Sequence, residues 1–287
     1  MARAYSTVEQ FAVGFDRQRE WIERRGLLLL TAFYLGGVGG GLFLASLIIG
    51  WKAGIPIALG IVALGKGPAH LLYLGRPLRF WRAFRRPHSS WISRGIYFML
   101  LFILLGTLYY VFYENTALAA LSGFFAFALV IYTGFALAAS PGIPFWSNPL
   151  VPIIFAGAAI TSGAALAEAA HAINTETVIT HVERLETMGL VMSTGMVVLI
   201  FTYLLGNYMS TIAAKESVAY LAWGSMSFVF WVGVVLLGIV IPLAIIVPAY
   251  VGEVARGWLA VAGISELCGS YVLRYSLLKA GIYPPVI

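Results

Sequence analysis

Charged residues are scarce in this sequence. Only 10% of its 287 residues are Asp, Glu, Lys or Arg, whereas 61% are hydrophobic. Soluble domains average about 25% charged and about 45–50% apolar residues. A soluble fold would have too few polar side chains to cover its surface. The composition therefore predicts an integral membrane protein.

Cysteine is almost absent as well, since Cys268 is the single cysteine of the chain. One cysteine excludes an internal disulfide, and it excludes an iron–sulfur cluster, which needs about four thiolate ligands. The four histidines do not fall at matching depths on facing helices, as a haem held by two histidines requires. We therefore expect no haem, no iron–sulfur cluster and no bound metal in this chain.

Long apolar runs predict an all-α membrane fold with eight spanning helices, because about 20 mostly apolar residues cross a bilayer. Short connections make consecutive helices antiparallel neighbours, and we expect two four-helix bundles. The chain is predicted to consist of an N-terminal surface segment, residues 1–26, and an eight-helix membrane domain, residues 27–287. The predicted spans are about 27–50, 55–75, 95–113, 117–140, 149–172, 185–206, 219–248 and 257–279.

The N-terminal segment has apolar residues at helical spacing, Val8, Phe11, Phe15 and Ile22, with arginines between them. This pattern fits an amphipathic helix on the membrane surface, and it fits a plain solvated helix equally well.

Positive charge is divided unevenly between the two sides of the membrane that the predicted spans define. Thirteen of the 18 Lys and Arg residues fall on the side of the termini, and six of these lie in residues 75–94. Positive residues are retained in the cytoplasm as a rule, so the termini and the 75–94 loop are predicted to be cytoplasmic. Because the charge collects at membrane boundaries, nucleic acid is not an expected partner.

The first helix contains the stretch YLGGVGGG. Gly36 and Gly40, and likewise Gly37 and Gly41, lie four residues apart, a spacing that lets helix backbones approach closely. A nucleotide-binding loop is excluded, because no strand precedes the glycines and the G-x-G-x-x-G spacing is missing.

Ionisable residues inside the apolar runs are the candidate functional residues, because each costs about 2.5–3.5 kcal/mol at a helix centre. Helical spacing places Lys66 and His70 on one face of the second helix, and Glu266, Ser270 and Arg274 on one face of the eighth. Together with Tyr132, they fall in the membrane half nearest the arginine-rich loop. This group is suited to the polar head of a lipid-soluble ligand. Glu168 and His171 fall at the opposite boundary.

Structural roles are the alternatives to this interpretation. Lys66 and Glu266 are also suited to an ion pair that only joins helices, and His70 to a packing role. Tyr132 fits an ordinary interfacial tyrosine, and Glu168 a solvated carboxylate near the far boundary.

Three stretches carry a resemblance to a known family: TAFYLGGVGGGLFLAS, LLYLGRPLRFWRAFRRPHSSWISRG and IYTGFALAASPGIPFWSNPLVPIIFAGAAITSGAA. With them the chain resembles the NrfD/PsrC family, the quinone-interacting membrane subunits of polysulfide-reductase-type complexes. The resemblance covers about residues 27–170, and beyond them it rests on hydropathy.

The resemblance implies a prokaryotic cytoplasmic membrane protein that binds menaquinone or ubiquinone as substrate. It implies two partners, an iron–sulfur subunit with a four-cluster ferredoxin-like fold and a molybdopterin catalytic subunit. Tyr132, in IYTG, matches a quinone-contacting tyrosine of the family. Thr31 and Leu28 stand roughly where some members have a histidine and an asparagine. The expected quinone-binding residues are His70, Tyr132, Arg274, Lys66 and Thr31.

The expected proton path consists of Lys66, Glu266 and Glu168. Six loop arginines are expected to contact the iron–sulfur subunit; they are Arg76, Arg79, Arg82, Arg85, Arg86 and Arg94. A role in setting the membrane topology alone would also explain them. The chain is thus predicted to be a membrane anchor and quinone-reactive subunit of an oxidoreductase. The competing interpretations are a secondary transporter whose buried charges form an ion path, and a structural anchor without quinone chemistry.

Overall fold

The computed structural model describes residues 17–174, 176–252 and 254–284, and their regular structure is helical. We label the helices α1 (Gly26–Ile49), α2 (Gly54–Tyr73), α3 (Trp91–Val111), α4 (Thr116–Ala138), α5 (Leu150–Ile173), α6 (Val182–Tyr208), α7 (Ile212–Ala222), α8 (Val229–Val251) and α9 (Arg256–Lys279). A short 3₁₀ helix, Pro77–Arg85, lies between α2 and α3.

Two of the helices contain wide π-helical turns, Ile61–Lys66 in α2 and Val229–Val240 in α8. Such turns often occur at functional sites, because they rotate the side chains that follow. The turn in α2 ends on Lys66, one of the predicted site residues.

Seven of the helices within the described residues are long and apolar enough to cross a membrane. They are α1 to α6 and α8. The predicted eighth span exists as helix α9, but it carries Glu266, Arg274 and several serines and falls short in apolar content. The all-helical membrane fold is therefore confirmed, while the count of eight spans stays a prediction.

The prediction of one helix over residues 219–248 was wrong. The short helix α7 ends at Ala222, and the chain turns through residues 223–226 before it becomes helical again and continues into α8. The amide groups of Trp223 and Gly224 both donate to the Ala219 carbonyl, which closes α7. Hydropathy missed this turn, because the residues on both sides of it are apolar.

Two large hydrophobic clusters fill the described part of the protein, beside a third of three buried residues, and α1 and α5 contribute to both large ones. The first large cluster joins these helices to α2, α3 and α4 and also includes Leu185 of α6. The second joins them to α6, α7, α8 and α9 and also includes Leu137 of α4. The prediction of two four-helix bundles is not confirmed, because the two clusters share α1 and α5 as a common centre.

The glycines of α1 explain how this centre closes. A Cβ on Gly41 would lie 1.8 Å from the Ala159 carbonyl oxygen, and one on Gly163 would lie 2.1 Å from the Gly41 backbone. The backbones of α1 and α5 therefore touch directly at this crossing. The close approach predicted from the glycine spacing is confirmed.

The two ends of the described chain meet under the loop between α4 and α5. Trp146, in the IPFW stretch, is buried and donates from its indole nitrogen to the Leu277 carbonyl at 2.7 Å. The backbone N–H of Gln18 donates to the Gly281 carbonyl at 3.0 Å, and Trp21 packs on Trp146. Of the predicted amphipathic pattern, Ile22 is buried in the second large cluster. Val8, Phe11 and Phe15 lie outside the described residues.

Candidate functional site

Lys66 is buried in the middle of the protein, with 1% of its surface exposed. Its ammonium nitrogen lies 3.4 Å from the Ala32 carbonyl oxygen of α1. It also lies 5.2 Å from the ring centre of Tyr132 and 5.9 Å from that of Phe33. No carboxylate of the described residues lies within 4.0 Å of it. Lys66 therefore contacts carbonyl and aromatic groups but has no anionic partner.

Arg274 of α9 is equally buried and also lacks a carboxylate partner within the described part of the chain. One terminal nitrogen donates to the Ser270 carbonyl at 3.0 Å and to the Ser270 hydroxyl. Its guanidinium carbon lies 5.8 Å from the ring centres of both Tyr34 and Phe155. The Nε atom is buried and has no hydrogen-bond partner among the described residues.

The two basic side chains approach α1 at neighbouring residues. A Cβ on Gly36 would lie 2.8 Å from Lys66 Nζ, and one on Gly37 would lie 2.5 Å from Arg274 Nη2. Glycine at both positions lets the two cations approach α1, because a larger residue would displace the ends of these side chains. Burying a charge costs several kcal/mol, and placing two like charges near each other adds to that cost. The arrangement favours a ligand with electron-rich atoms.

His70 and Tyr132 complete this cluster on the side of the arginine-rich loop. His70 lies one turn after Lys66, with its ring centre 6.0 Å from that of Phe33. Its Nδ1 atom is buried and has no hydrogen-bond partner in the described structure. Tyr132 is buried against Gly95, where a Cβ would collide with the tyrosine ring. The structure thus brings together four of the five predicted quinone-binding residues.

Thr31 is the predicted quinone-binding residue that these contacts do not include. Its hydroxyl donates to the Leu27 carbonyl one turn earlier, at 2.8 Å. This bond within α1 is typical of threonine in an apolar helix.

Glu266 does not pair with Lys66. Its Oε1 atom accepts a hydrogen bond from the Ser193 hydroxyl of α6 at 2.6 Å, and its Oε2 atom has no partner among the described residues. A cavity of about 20 Å³ adjoins the carboxylate and is also lined by Thr161 and Ser270. A space of this size holds about one water molecule. The helix-joining ion pair, left open from the sequence, is not formed.

A short hydrogen-bonded chain connects Arg274 to the surroundings of Glu266. Arg274 contacts Ser270, and the Ser162 hydroxyl of α5 donates to the Ser270 hydroxyl at 2.6 Å. The sequence interpretation included Ser270 but missed Ser162 and Ser193. Both serines lie on apolar helices whose own residues give no sign of which neighbouring helix each would face.

Glu168 lies farther along α5, about 9 Å beyond Ser162 at 1.5 Å per residue. It is 7% exposed, and its Oε2 atom has no hydrogen-bond partner within the described residues. It lines a cavity of about 30 Å³ together with His171 and Glu186. The interpretation of Glu168 as a solvated boundary carboxylate was wrong, because α6 closes over it at Gly189.

The arginine-rich loop forms an exposed surface. The 3₁₀ helix has no buried residue, and Leu78 is 90% exposed. The guanidinium of Arg85 lies over the Trp81 ring at 4.4 Å. Five of the six predicted docking arginines are exposed with no carboxylate within 4.0 Å among the described residues; they are Arg76, Arg79, Arg82, Arg85 and Arg86.

Arg94 differs from the other loop arginines. It donates to the Pro87 carbonyl at 2.8 Å and to the His88 carbonyl at 2.6 Å. These bonds hold the loop against the start of α3. Arg94 therefore has a structural role that the sequence alone did not indicate.

The described residues contain no group of three or more His, Cys, Asp or Glu side chains that could hold a metal ion. The fold and the cluster define the class of protein: a multi-spanning helical membrane protein with basic and hydrogen-bonding groups buried between its helices. The chain matches the family model described as polysulphide reductase, NrfD, over residues 25–285. It belongs to this family.

Two curated relatives support this assignment. The chain is 27% identical to Protein NrfD of Escherichia coli (strain K12), over 88% of this chain and 87% of the relative. It is 26% identical to the Protein NrfD homolog of Haemophilus influenzae (strain ATCC 51907 / DSM 11121 / KW20 / Rd), over 79% of each chain. The family match thus includes the C-terminal half, where the resemblance rested on hydropathy alone. Membership is consistent with a membrane subunit of a redox complex.

Proposed function

We propose that this protein is the membrane anchor and quinone-reactive subunit of a multi-subunit oxidoreductase. It exchanges electrons between the membrane quinone pool and an iron–sulfur subunit with a four-cluster ferredoxin-like fold, which is joined to a molybdopterin catalytic subunit. One observation carries the proposal: the buried basic residues Lys66 and Arg274 lie beside His70 and Tyr132. Neither basic residue has a carboxylate partner among the described residues.

The chemistry of a quinone suits this cluster. A quinone head has two carbonyl oxygens that accept hydrogen bonds, and reduction to the quinol adds two electrons and two protons. Lys66 and Arg274 stabilise the negative charge that develops on the oxygens during reduction. His70 Nδ1 and the Tyr132 hydroxyl orient the ring, and aromatic residues such as Phe33 and Phe155 pack against its faces.

The proton path that we propose leads away from the cluster along α5, α6 and α9. Arg274, Ser270 and Ser162 are linked by hydrogen bonds, and the small cavity beside Ser270 adjoins Glu266. Glu168 and the cavity beside it form the next part of this path, toward the opposite membrane boundary. Lys66 is the group nearest the quinone head, and water in the two cavities would bridge the carboxylates.

The arginine-rich loop is the proposed docking surface for the iron–sulfur subunit. Its exposed arginines lack anionic partners in the described structure, so they are free to meet an acidic partner surface and set its orientation. Trp81 and Leu78 add exposed apolar area at the same place. We infer from the excess of positive charge that this face lies on the cytoplasmic side, and we propose a prokaryotic inner membrane as the location.

Quinol-linked turnover of the assembled complex tests the proposal. Tyr132→Phe and His70→Ala each remove one hydrogen-bonding group from the quinone, and we expect each to lower turnover by about 10-fold or more. Tyr109→Phe and His181→Ala are matched controls, because both residues lie toward the opposite end of the helices. Turnover equal to the controls in both test variants would contradict these assignments.

The same purification separates the competing functions. The proposal requires an iron–sulfur subunit to co-purify with the chain and the complex to oxidise or reduce a quinone analogue. A secondary transporter would be isolated without such a partner. A purely structural anchor would bring the partner but show no activity with the quinone analogue.

A further inference from the structure

A groove of about 830 Å³ lies at the end of the protein opposite the arginine-rich loop. Its walls come from the α1–α2 connection, the last turns of α3 and α5, and the segment that follows α5. Binding sites for small molecules typically measure about 300–1,000 Å³. The groove is far from Lys66 and Arg274, and the proposed quinone chemistry does not use it.

Hydrogen bonds between separate segments hold the walls of this groove together. The Thr180 hydroxyl donates to the Gly50 carbonyl at 3.1 Å, and the His181 amide group donates to Ile49 at 3.0 Å. Arg184 adds a bond to the Ile48 carbonyl at 3.1 Å. Trp51 is buried beneath the groove. The segment after α5 is therefore fixed to the end of α1.

The groove combines apolar walls with one charge of each sign. Ile57, Ile173 and Val178 line it and are all exposed, as expected for side chains that meet acyl chains at a membrane boundary. Lys52 lies 4.6 Å from the ring centre of Tyr113, and Glu176 lies in the same lining. Neither charge has an ion-pair partner within 4.0 Å among the described residues.

We propose that this groove binds one phospholipid of the surrounding bilayer that has a zwitterionic ethanolamine headgroup. The phosphate contacts Lys52, the primary ammonium contacts Glu176, and the acyl chains lie along Ile57 and Ile173. Two unpaired charges of opposite sign complement a headgroup that carries both signs. A phosphatidylglycerol headgroup lacks the cation for Glu176, and a choline headgroup has no N–H donor.

Native mass spectrometry of the purified full-length protein tests this assignment. The protein is equilibrated with phosphatidylethanolamine, phosphatidylcholine and phosphatidylglycerol of identical acyl chains, and the retained lipid is counted. We expect ethanolamine lipid to be retained about tenfold better than the others. Lys52→Gln should lower its retention about tenfold, and Glu176→Gln should remove the preference for ethanolamine over choline.

Lys215→Gln is the matched control, because Lys215 is an exposed lysine that also lies over a tyrosine ring, Tyr208, at the other end of the protein. Lys52→Arg keeps the charge and should keep the lipid. Equal lipid retention in Lys52→Gln and Lys215→Gln would overturn the proposal. Stronger retention of phosphatidylglycerol would also overturn it, as would displacement of the lipid by a short-chain quinone.

Discussion

Replacing Arg274 with Met is expected to lower quinol-linked turnover by about 100-fold while raising the thermal stability of the protein. The guanidinium is buried without a carboxylate partner among the described residues, so the folded state bears an uncompensated desolvation cost. An unbranched apolar side chain removes this cost. It also removes a positive group that stabilises charge on the substrate, a loss that typically costs about 10²–10³ in rate.

Lys66→Met should likewise lower turnover and raise thermal stability. Lys66 contacts a carbonyl group and aromatic rings but no carboxylate within the described residues. Turnover and the thermal midpoint are measured on the same preparations. Arg256→Met is the control for Arg274, because Arg256 is exposed at the start of the same helix. A lower midpoint with normal turnover would mean that the buried cations only hold helices together.

Replacing Gly41 with Ala is expected to prevent the normal packing of α1 on α5. The new Cβ would lie 1.8 Å from the Ala159 carbonyl oxygen and 2.5 Å from its carbon. A colliding side chain can change rotamer, but here the opposing atoms belong to a helix backbone. Ordinary overpacking costs about 1–3 kcal/mol, and we expect this substitution to exceed that range. The yield of folded protein and its thermal midpoint are the measurements.

Gly60→Ala in α2 controls for the general effect of alanine in a helix, since no atom lies within 4 Å of the position that its Cβ would take. We expect the Gly60 variant to match the original protein and the Gly41 variant to lose at least about 10 °C in midpoint. Similar midpoints for the two variants would show that α1 and α5 do not touch at this crossing.

The sequence predicted best those features that depend on the residues of one helix. The four-residue spacing of Gly37 and Gly41 indicated a close helix crossing, and the spacing of Lys66 and His70 placed both on one face. The hydropathy of each run located most of the helices. These patterns are local, so the sequence alone reveals them.

Features that depend on which helices meet could not be predicted in this way. Glu266 accepts a hydrogen bond from a serine of α6, and Ser270, which contacts Arg274, accepts one from a serine of α5. Apolar helices give no sign of which faces will oppose each other. The same limitation explains the failure to foresee the burial of Glu168 under α6. The turn after Ala222 was missed for a different reason, since apolar residues continue on both sides of it.

Photolabelling with an azido-quinone, followed by peptide mapping, tests most directly whether the cluster around Lys66 and Arg274 holds a quinone. We expect label on α1 near Phe33, on α2 near His70 and on α9 near Arg274, with suppression by excess unlabelled quinone. Lys66→Met should reduce the same labelling. Label found only outside these three helices, or label that excess quinone does not suppress, would contradict the account.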